Sequence, residues 1–396
     1  MSSILTGQTP GYELNDETHP NAIEDFVVLS VRGSPRLLLP PERSIMQSAI
    51  KNFLGNRRGT SLVPHFVHAA SRIGGPFSHL CSSLSLKSDS ATSCPLRDLM
   101  SDVLGRNDYK FAMRLSLDRP NPKAVVVAIS DAGEALCFAK FGTEALTNDL
   151  VAHESAILEQ FADTDMPLIV PAPLYSGTWA GTHNVLITAP LKLESLNGDT
   201  SIVHKAADAF ACQNLVTNSA LNNSDYWCQI GERIRELDPD GNSNQNLLAT
   251  ANKIEQVWGD HQFDFGASHG DWTRANVGMV EGRLAAFDWE RCTKLAPRGI
   301  DIAHFAISEN LFRPFSKTLD VNRAKQDIGQ YFKSAGLQAD NAESLITLAL
   351  LEMVIRFKSA QNVGLRSKDS KFDSALNTCL QPVSYTHLTL PTIYSV

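Results

Sequence analysis

The order of segments along the chain predicts an α+β fold in two lobes, a small strand-rich one followed by a mostly helical one. Three observations carry this. KFAMRLSL (110–117), AVVVAIS (124–130) and EALCFAKF (134–141) follow one another across short turns. Beyond about residue 190, apolar residues recur at helical spacing in segment after segment. No regular strand–helix alternation of the kind that builds a parallel sheet interrupts them.

The elements fall in this order. Residues 1–105 form an N-terminal extension of unassigned role, with short strands at FVVLS and RLLLP and helices at Glu42–Leu54 and Leu96–Leu104. Its serine-rich stretch CSSLSLKSDSATSC (81–94) reads as an exposed loop. Residues 106–190 make the strand-rich lobe. The three strands above are joined by DRPNPK and DAG, a helix runs over Asn148–Phe161, and strands at APLYSG and HNVLIT end at Ala189–Pro190. Residues 191–382 make the helical lobe, with helices over 202–220, 224–237, 244–258, 300–311, 321–335 and 341–362. One hairpin, 277–289, interrupts them. Residues 383–396 read VSYTHLTLPTIYSV, without a charged residue; VSYTHLTLPT resembles the translation of a transposase adapter used in library preparation. The natural sequence is then expected to end near Pro382, the alternative being a genuine C-terminal strand.

Composition narrows the classes. The net charge of −8 and the absence of a lysine–arginine run exclude a dedicated nucleic-acid binder. The longest apolar segment, Leu345–Ile355, is interrupted by Glu352 and is too short to span a bilayer, so it is expected to be a buried helix. No basic, apolar leader opens the chain, and seven scattered cysteines without paired spacing point to a reducing cytoplasm.

In EALCFAKF both alternating faces are apolar, so the strand is expected to be buried, and Lys140 with it. Lysine is seldom buried without a partner. The next helix offers one: Glu154 lies on the apolar stripe of Leu150, Ile157, Leu158 and Phe161. The alternative is a half-exposed lysine and a glutamate paired elsewhere.

The segment SHGDWTRANVGMVEGRLAAFDWER (268–291) is the most informative. It holds His269, Gly270, Asp271 and Asn276 at H-G-D-x-x-x-x-N spacing, with Asp288 at the end of an apolar strand. A two-residue turn at Glu281-Gly282 folds Val277–Val280 back on Arg283–Phe287, leaving Asn276 near the level of Asp288. Cross-strand and diagonal neighbours stand roughly 5–8 Å apart, so the two side-chain oxygens can share one magnesium ion. Asp271 is then placed to take a proton from an attacking hydroxyl.

HGDWTRAN followed by FDWE resembles the catalytic and metal motifs of the aminoglycoside-phosphotransferase, choline-kinase and homoserine-kinase group. The resemblance spans about residues 106–362. It implies a bilobal protein-kinase-like fold, ATP and Mg²⁺ as cofactors, Asp271 as catalytic base, and Asn276 and Asp288 as metal ligands. Lys140 and Glu154 match the pair that such enzymes set at the nucleotide's α- and β-phosphates. PRGIDIAHF (297–305) matches the following segment, with Asp301 bracing the loop. Gly270 in place of the arginine of H-R-D, and only twelve residues between Asp288 and Asp301, favour a small-molecule kinase over a protein kinase.

The chain departs from that pattern at its first hairpin. No glycine lies between Gly105 and Gly133; the turn is Asp118-Arg119-Pro120-Asn121-Pro122-Lys123, and prolines offer no N–H. Arg119 and Lys123 are candidates to hold phosphates by charge, the alternative being a solvated turn. Thr188, Ala189 and Leu191 are the candidate contacts to an adenine edge. The expected activity is transfer of the ATP γ-phosphoryl group to a hydroxyl of a small molecule; the rival is a nucleotide-binding pseudokinase. Asp225, Glu232, Glu236, Asp238 and Asp240 would suit a cationic acceptor, or lie on solvated helix faces.

Overall fold

The strand-rich lobe is built on one antiparallel sheet. The computed structural model describes residues 1–6, 12–15, 22–31, 34–54, 81–88, 93–115, 123–196, 200–237, 245–311, 320–335, 341–362 and 370–379. Its first nine strands are β1 (Tyr12–Asn15), β2 (Glu24–Val31), β3 (Ser34–Leu39), β4 (Cys81–Ser88), β5 (Tyr109–Leu115), β6 (Lys123–Ser130), β7 (Ala135–Gly142), β8 (Pro173–Trp179) and β9 (His183–Thr188). They lie in the order β1-β4-β2-β3-β5-β6-β7-β9-β8. β6 is buried on both faces, as its unbroken apolar run requires. On one face Phe111, Met113, Val126, Ala139 and Phe141 pack with Ile4 and Leu5 of α1 (Ser2–Thr6) and Leu96 and Met100 of α3 (Pro95–Leu104). On the other, Ala112, Val125 and Val127 lie with Ile45, Ala49, Ile50 and Phe53 of α2 (Arg43–Leu54).

Two features of this lobe differ from the sequence expectation. Leu37 and Leu38 of β3 stand opposite Arg114 and Met113 of β5, so the sheet continues across residue 105, where a separate extension was expected to end. The first part of the serine-rich segment is not an exposed loop but β4, paired to β1 and β2. Leu84 and Leu86 alternate onto the core, and the Ser85 hydroxyl donates to Asp25 Oδ1 at 2.5 Å. Burial at every second residue outweighs the polarity of the intervening serines.

Helix α4 (Ala145–Ala162) starts three residues before the expected Asn148. Thr147 Oγ1 accepts the Glu144 N–H at 3.0 Å, one half of a capping box that fixes the start. The helical lobe follows: α5 (Ser201–Gln213), β10 (Thr217–Ala220), a 3₁₀ turn at Leu221–Asn223, α6 (Asp225–Leu237), α7 (Gln245–Trp258), β11 (Gln262–Ser268), β12 (Val277–Val280), β13 (Arg283–Ala286), β14 (Thr293–Pro297), α8 (Ile300–Leu311), α9 (Val321–Ala335), α10 (Asn341–Asn362) and α11 (Ser370–Cys379). The helix expected over 202–220 stops at Gln213, because Thr217–Ala220 pair with β11 instead. Asn214 closes that helix by donating its side-chain amide to the Phe210 carbonyl at 2.9 Å. Leu345–Ile355 is the buried middle of α10, and no helix among the described residues is long and apolar enough to cross a membrane.

The β12–β13 hairpin is gripped by the segment between α4 and β8 and by the segment that leads from β9 into the helical lobe. Ile169 donates to the Leu284 carbonyl (2.8 Å) and accepts from Ala286 N–H (2.9 Å). Glu194 and Met279 exchange two backbone bonds of 2.8 and 3.1 Å. The architecture is thus bilobal and α+β, with the hairpin held at the seam. The turn residues 118–122, including Arg119, as well as Asp238, Asp240 and the tail 383–396, lie outside the described residues.

Candidate active site

β6 and β7 place two lysines side by side. Lys140 stands opposite Val125, and Lys123, two residues before Val125, stands opposite Gly142, so both lysines share one face of the sheet. Helix α4 lies over that face and brings Glu154, 1% exposed, to Lys140. Lys140 Nζ donates to both Glu154 oxygens at 2.7 Å and to Asp288 Oδ1 at 2.8 Å. Glu154 Oε1 also accepts the Trp289 N–H at 3.2 Å. Lys123 is hydrogen-bonded to Glu290 and lies 3.7 Å from Asp288 Oδ1.

These contacts set the charges. Burial alone would lower the Lys140 pKa, but Asp288 and then Glu154 drive it well above the ordinary lysine value. Burial would raise the Asp288 carboxyl; Lys140 and Lys123 instead hold it well below the ordinary range. Lys123 is pushed down, chiefly by burial, with Lys140 adding to the push and Asp288 and Glu154 opposing it.

The loop before the hairpin is braced from below. Asp301 Oδ1 accepts from the Ser268 hydroxyl (2.8 Å) and Gly270 N–H (3.0 Å), and its Oδ2 accepts from His269 N–H (2.7 Å). Gly270 has φ 76°, and a Cβ there would lie 2.3 Å from the Arg291 carbonyl oxygen, so only glycine fits. His269 Nδ1 accepts the Asp271 N–H at 3.2 Å, leaving Nε2 to donate to the Phe287 carbonyl at 3.1 Å. The Asp271 carboxylate is oriented by Asn276, whose Nδ2 donates to Asp271 Oδ2 (2.8 Å) and to the Asp271 carbonyl (3.0 Å).

The hairpin register brings Asn276 to Asp288. Val277 pairs with Ala286, and Phe287 N–H donates to the Asn276 carbonyl at 3.0 Å, so Asp288 is the next residue along. Glu281 and Gly282, at φ 50° and 78°, make the tight turn. Asp288 itself has φ 71°, a conformation that costs a non-glycine residue of order 1–3 kcal/mol and is characteristic of functional sites.

Carboxylate oxygens of Glu154, Asp288 and Glu290 all lie within 4.8 Å of one another. With Asn276 Nδ2 committed to Asp271, its amide oxygen is the ligand atom it has to offer. An all-oxygen set of this kind fits magnesium. Glu290 was not among the residues singled out from the sequence, where Lys123 was read as a turn residue and gave no sign of needing a carboxylate partner.

Of the backbone groups expected at the adenine edge, the Ala189 N–H donates to the Ala172 carbonyl at 2.8 Å, where the β8–β9 ladder runs one residue beyond Thr188. Thr188 is buried at the end of β9, and the Leu191 carbonyl accepts the Leu193 N–H at 2.9 Å. Asp225, Glu232 and Glu236 are exposed on α6, away from its buried stripe of Tyr226, Ile230, Ile234 and Leu237. His153 binds the Cys292 carbonyl, while His204 packs on Phe305 and Tyr331.

No family model and no curated protein matches the chain. Among solved structures, it is similar to a thermostable mutant of aminoglycoside phosphotransferase APH(4)-Ia in ternary complex with ADP and hygromycin B (13% identity, TM-score 0.47, 72% of this chain and 96% of that one). It is likewise similar to a candidate fructosamine-3-kinase from Haemophilus somnus 129PT (16% identity, TM-score 0.47, 72% and 97%). A third is the amicoumacin kinase hAmiN in complex with AMP-PNP, Ca²⁺ and Ami (12% identity, TM-score 0.44, 72% and 92%).

Proposed function

We propose that the chain is an ATP-dependent phosphotransferase acting on a hydroxyl of a small molecule. The observation that carries the reading is the convergence of Lys140, Glu154 and Asp288 within hydrogen-bond distance, one residue from where Asn276 steers the Asp271 carboxylate.

In this reading Lys140, kept cationic by two carboxylates, meets the nucleotide's α- and β-phosphates. Lys123 stands where a glycine-rich turn would otherwise supply N–H donors, and holds phosphate by charge. Asp288 and Asn276 would hold magnesium, which when bound would supply positive charge to neutralise the phosphates. Thr188 and Leu191 flank the adenine. The acceptor hydroxyl oxygen forms the new P–O bond as its proton passes to Asp271; the β–γ bridging bond breaks, and ADP leaves with the electron pair. Asn276 fixes the carboxylate for this, and Asp301 fixes the loop beneath it.

A broad ATP-consumption screen over sugars, amino alcohols, aminoglycosides and hydroxy acids tests the reading, followed by Asp271→Asn on any acceptor found. The variant should still bind Mg-ATP while turnover falls by roughly 10²–10⁴. The Lys123–Glu290 contact beside Asp288 favours one alternative, a protein that binds nucleotide without turning it over. Tight Mg-ATP binding with no acceptor phosphorylated would support that alternative instead.

A further inference from the structure

Two lysines and three carboxylates meet at the seam, and the two lysines are held differently. Lys140 is fully committed: its Nζ bonds both Glu154 oxygens and Asp288 Oδ1. Lys123 Nζ donates to Glu290 Oε2 and stands 3.7 Å from Asp288 Oδ1, beyond hydrogen-bond length. The register explains its reach. Lys123 opens β6 opposite Gly142, two residues beyond the Val125–Lys140 pair on the same face, so it meets the cluster from the end of the ladder. The Lys123 and Glu290 side chains are only 11% and 9% exposed, so their contact is not a solvated surface pair. Asp288, at 30%, is the open side of the cluster.

The Lys123 ammonium thus lies against the two carboxylates that follow β13. Oxygens of Asp288 and Glu290 are within 4.8 Å of each other, and magnesium binds carboxylate oxygen at about 2.0–2.1 Å. A magnesium ion on both would stand against Nζ, a like charge in a shielded site. Ammonium and metal exclude each other there unless the lysine moves. A polyphosphate gives it somewhere to go, because its anionic oxygens can replace Glu290 as the partner of Nζ. Two ammonium groups do not neutralise three carboxylates, so withdrawal of Lys123 deepens a negative charge that a divalent cation can meet.

We propose that Lys123 is an internal placeholder for the metal: it keeps divalent cations off Asp288 and Glu290 until a nucleotide's phosphates draw it away. Metal and polyphosphate then bind as a coupled pair, each raising the affinity of the other by the same factor. This rests on the phosphotransferase reading for the metal site and for Lys123 as a phosphate contact.

Mn²⁺ binding to the full chain, without nucleotide and followed by electron paramagnetic resonance, tests it. Lys123→Gln keeps a donor for Glu290 but no charge, and should bind Mn²⁺ at least roughly tenfold more tightly than wild type. Lys123→Arg keeps the charge and should behave as wild type. Adding Glu290→Gln to Lys123→Gln should abolish the gain. In thermal unfolding, Mg²⁺ should stabilise Lys123→Gln and leave wild type unmoved. Should Lys123→Gln fold only with metal present, that dependence, absent from wild type, is the same result; should it fold under neither condition, Lys123→Met replaces it with the same expectation. Equal Mn²⁺ affinity in wild type and the uncharged variant overturns the proposal, as does a gain that survives Glu290→Gln. Wild type that binds no Mg-ATP would sink the phosphotransferase reading, while the metal measurement, made without nucleotide, would still decide whether Lys123 holds the cation's place.

Discussion

Replacing Lys140 by alanine removes the group on which the strand-rich lobe, α4 and the hairpin converge. The ammonium meets Glu154 twice at 2.7 Å and Asp288 at 2.8 Å. At an effective dielectric near 20, each such pair is worth about 6 kcal/mol before desolvation is subtracted. Breaking a buried pair by removing one partner costs about 3–5 kcal/mol in total. The Asp288 side chain is 30% exposed and Lys123 remains 3.7 Å away, so the lower end, about 3 kcal/mol, is expected. Glu154 bears most of it, since among the described residues only the Trp289 N–H then remains hydrogen-bonded to its 1%-exposed carboxylate. For a chain of this size that corresponds to a drop in Tm of roughly 4 °C. Scanning fluorimetry measures the drop, and calorimetric titration with Mg-ATP on the same variant should show weaker binding. An unchanged Tm together with unchanged affinity would refute the reasoning.

Gly270→Ala should cost well over 1 kcal/mol, because positive φ is compounded by a clash 2.3 Å from a carbonyl oxygen; Gly282→Ala, at φ 78° with nothing within 4 Å, should cost only about 1 kcal/mol. Urea melts of the pair would contradict this if the two losses were equal. Acid stability should depend on Glu352: burial raises its carboxyl, but Arg356, His304 and Arg233 bring it below its ordinary 4.5. A depressed carboxyl stabilises the fold above its unfolded value, and that stability is lost as pH falls through the folded value. Glu352→Gln should therefore lower Tm at neutral pH and flatten its decline below about pH 4.5; parallel curves for variant and wild type would contradict it.

The parts of this molecule that were legible in the sequence are those whose cause is local. The hairpin follows from Glu281-Gly282 and the apolar strands beside it, and the order of helices follows from apolar spacing. The Lys140–Glu154 bond was foreseeable because a buried strand and an apolar helix stripe each demanded an opposite charge. What was hidden depends on distant chain. β10 has three polar residues and an alanine, and becomes a strand only because β11 offers it a ladder. The serine-rich β4 carried a period-two signal in Leu84 and Leu86, masked by its composition. Lys123 and Glu290 are 167 residues apart, and no spacing rule joins them.

The central claim is that Asp288 marks a magnesium-dependent nucleotide site. Calorimetric titration of wild type and Asp288→Asn with ATP, in the presence of magnesium and again with the metal chelated, measures it most directly. The account predicts that wild type binds ATP with magnesium and clearly more weakly without it, and that Asp288→Asn binds weakly under both conditions. Wild type that binds no ATP with magnesium, or an Asp288→Asn variant that keeps the full magnesium dependence, would contradict it.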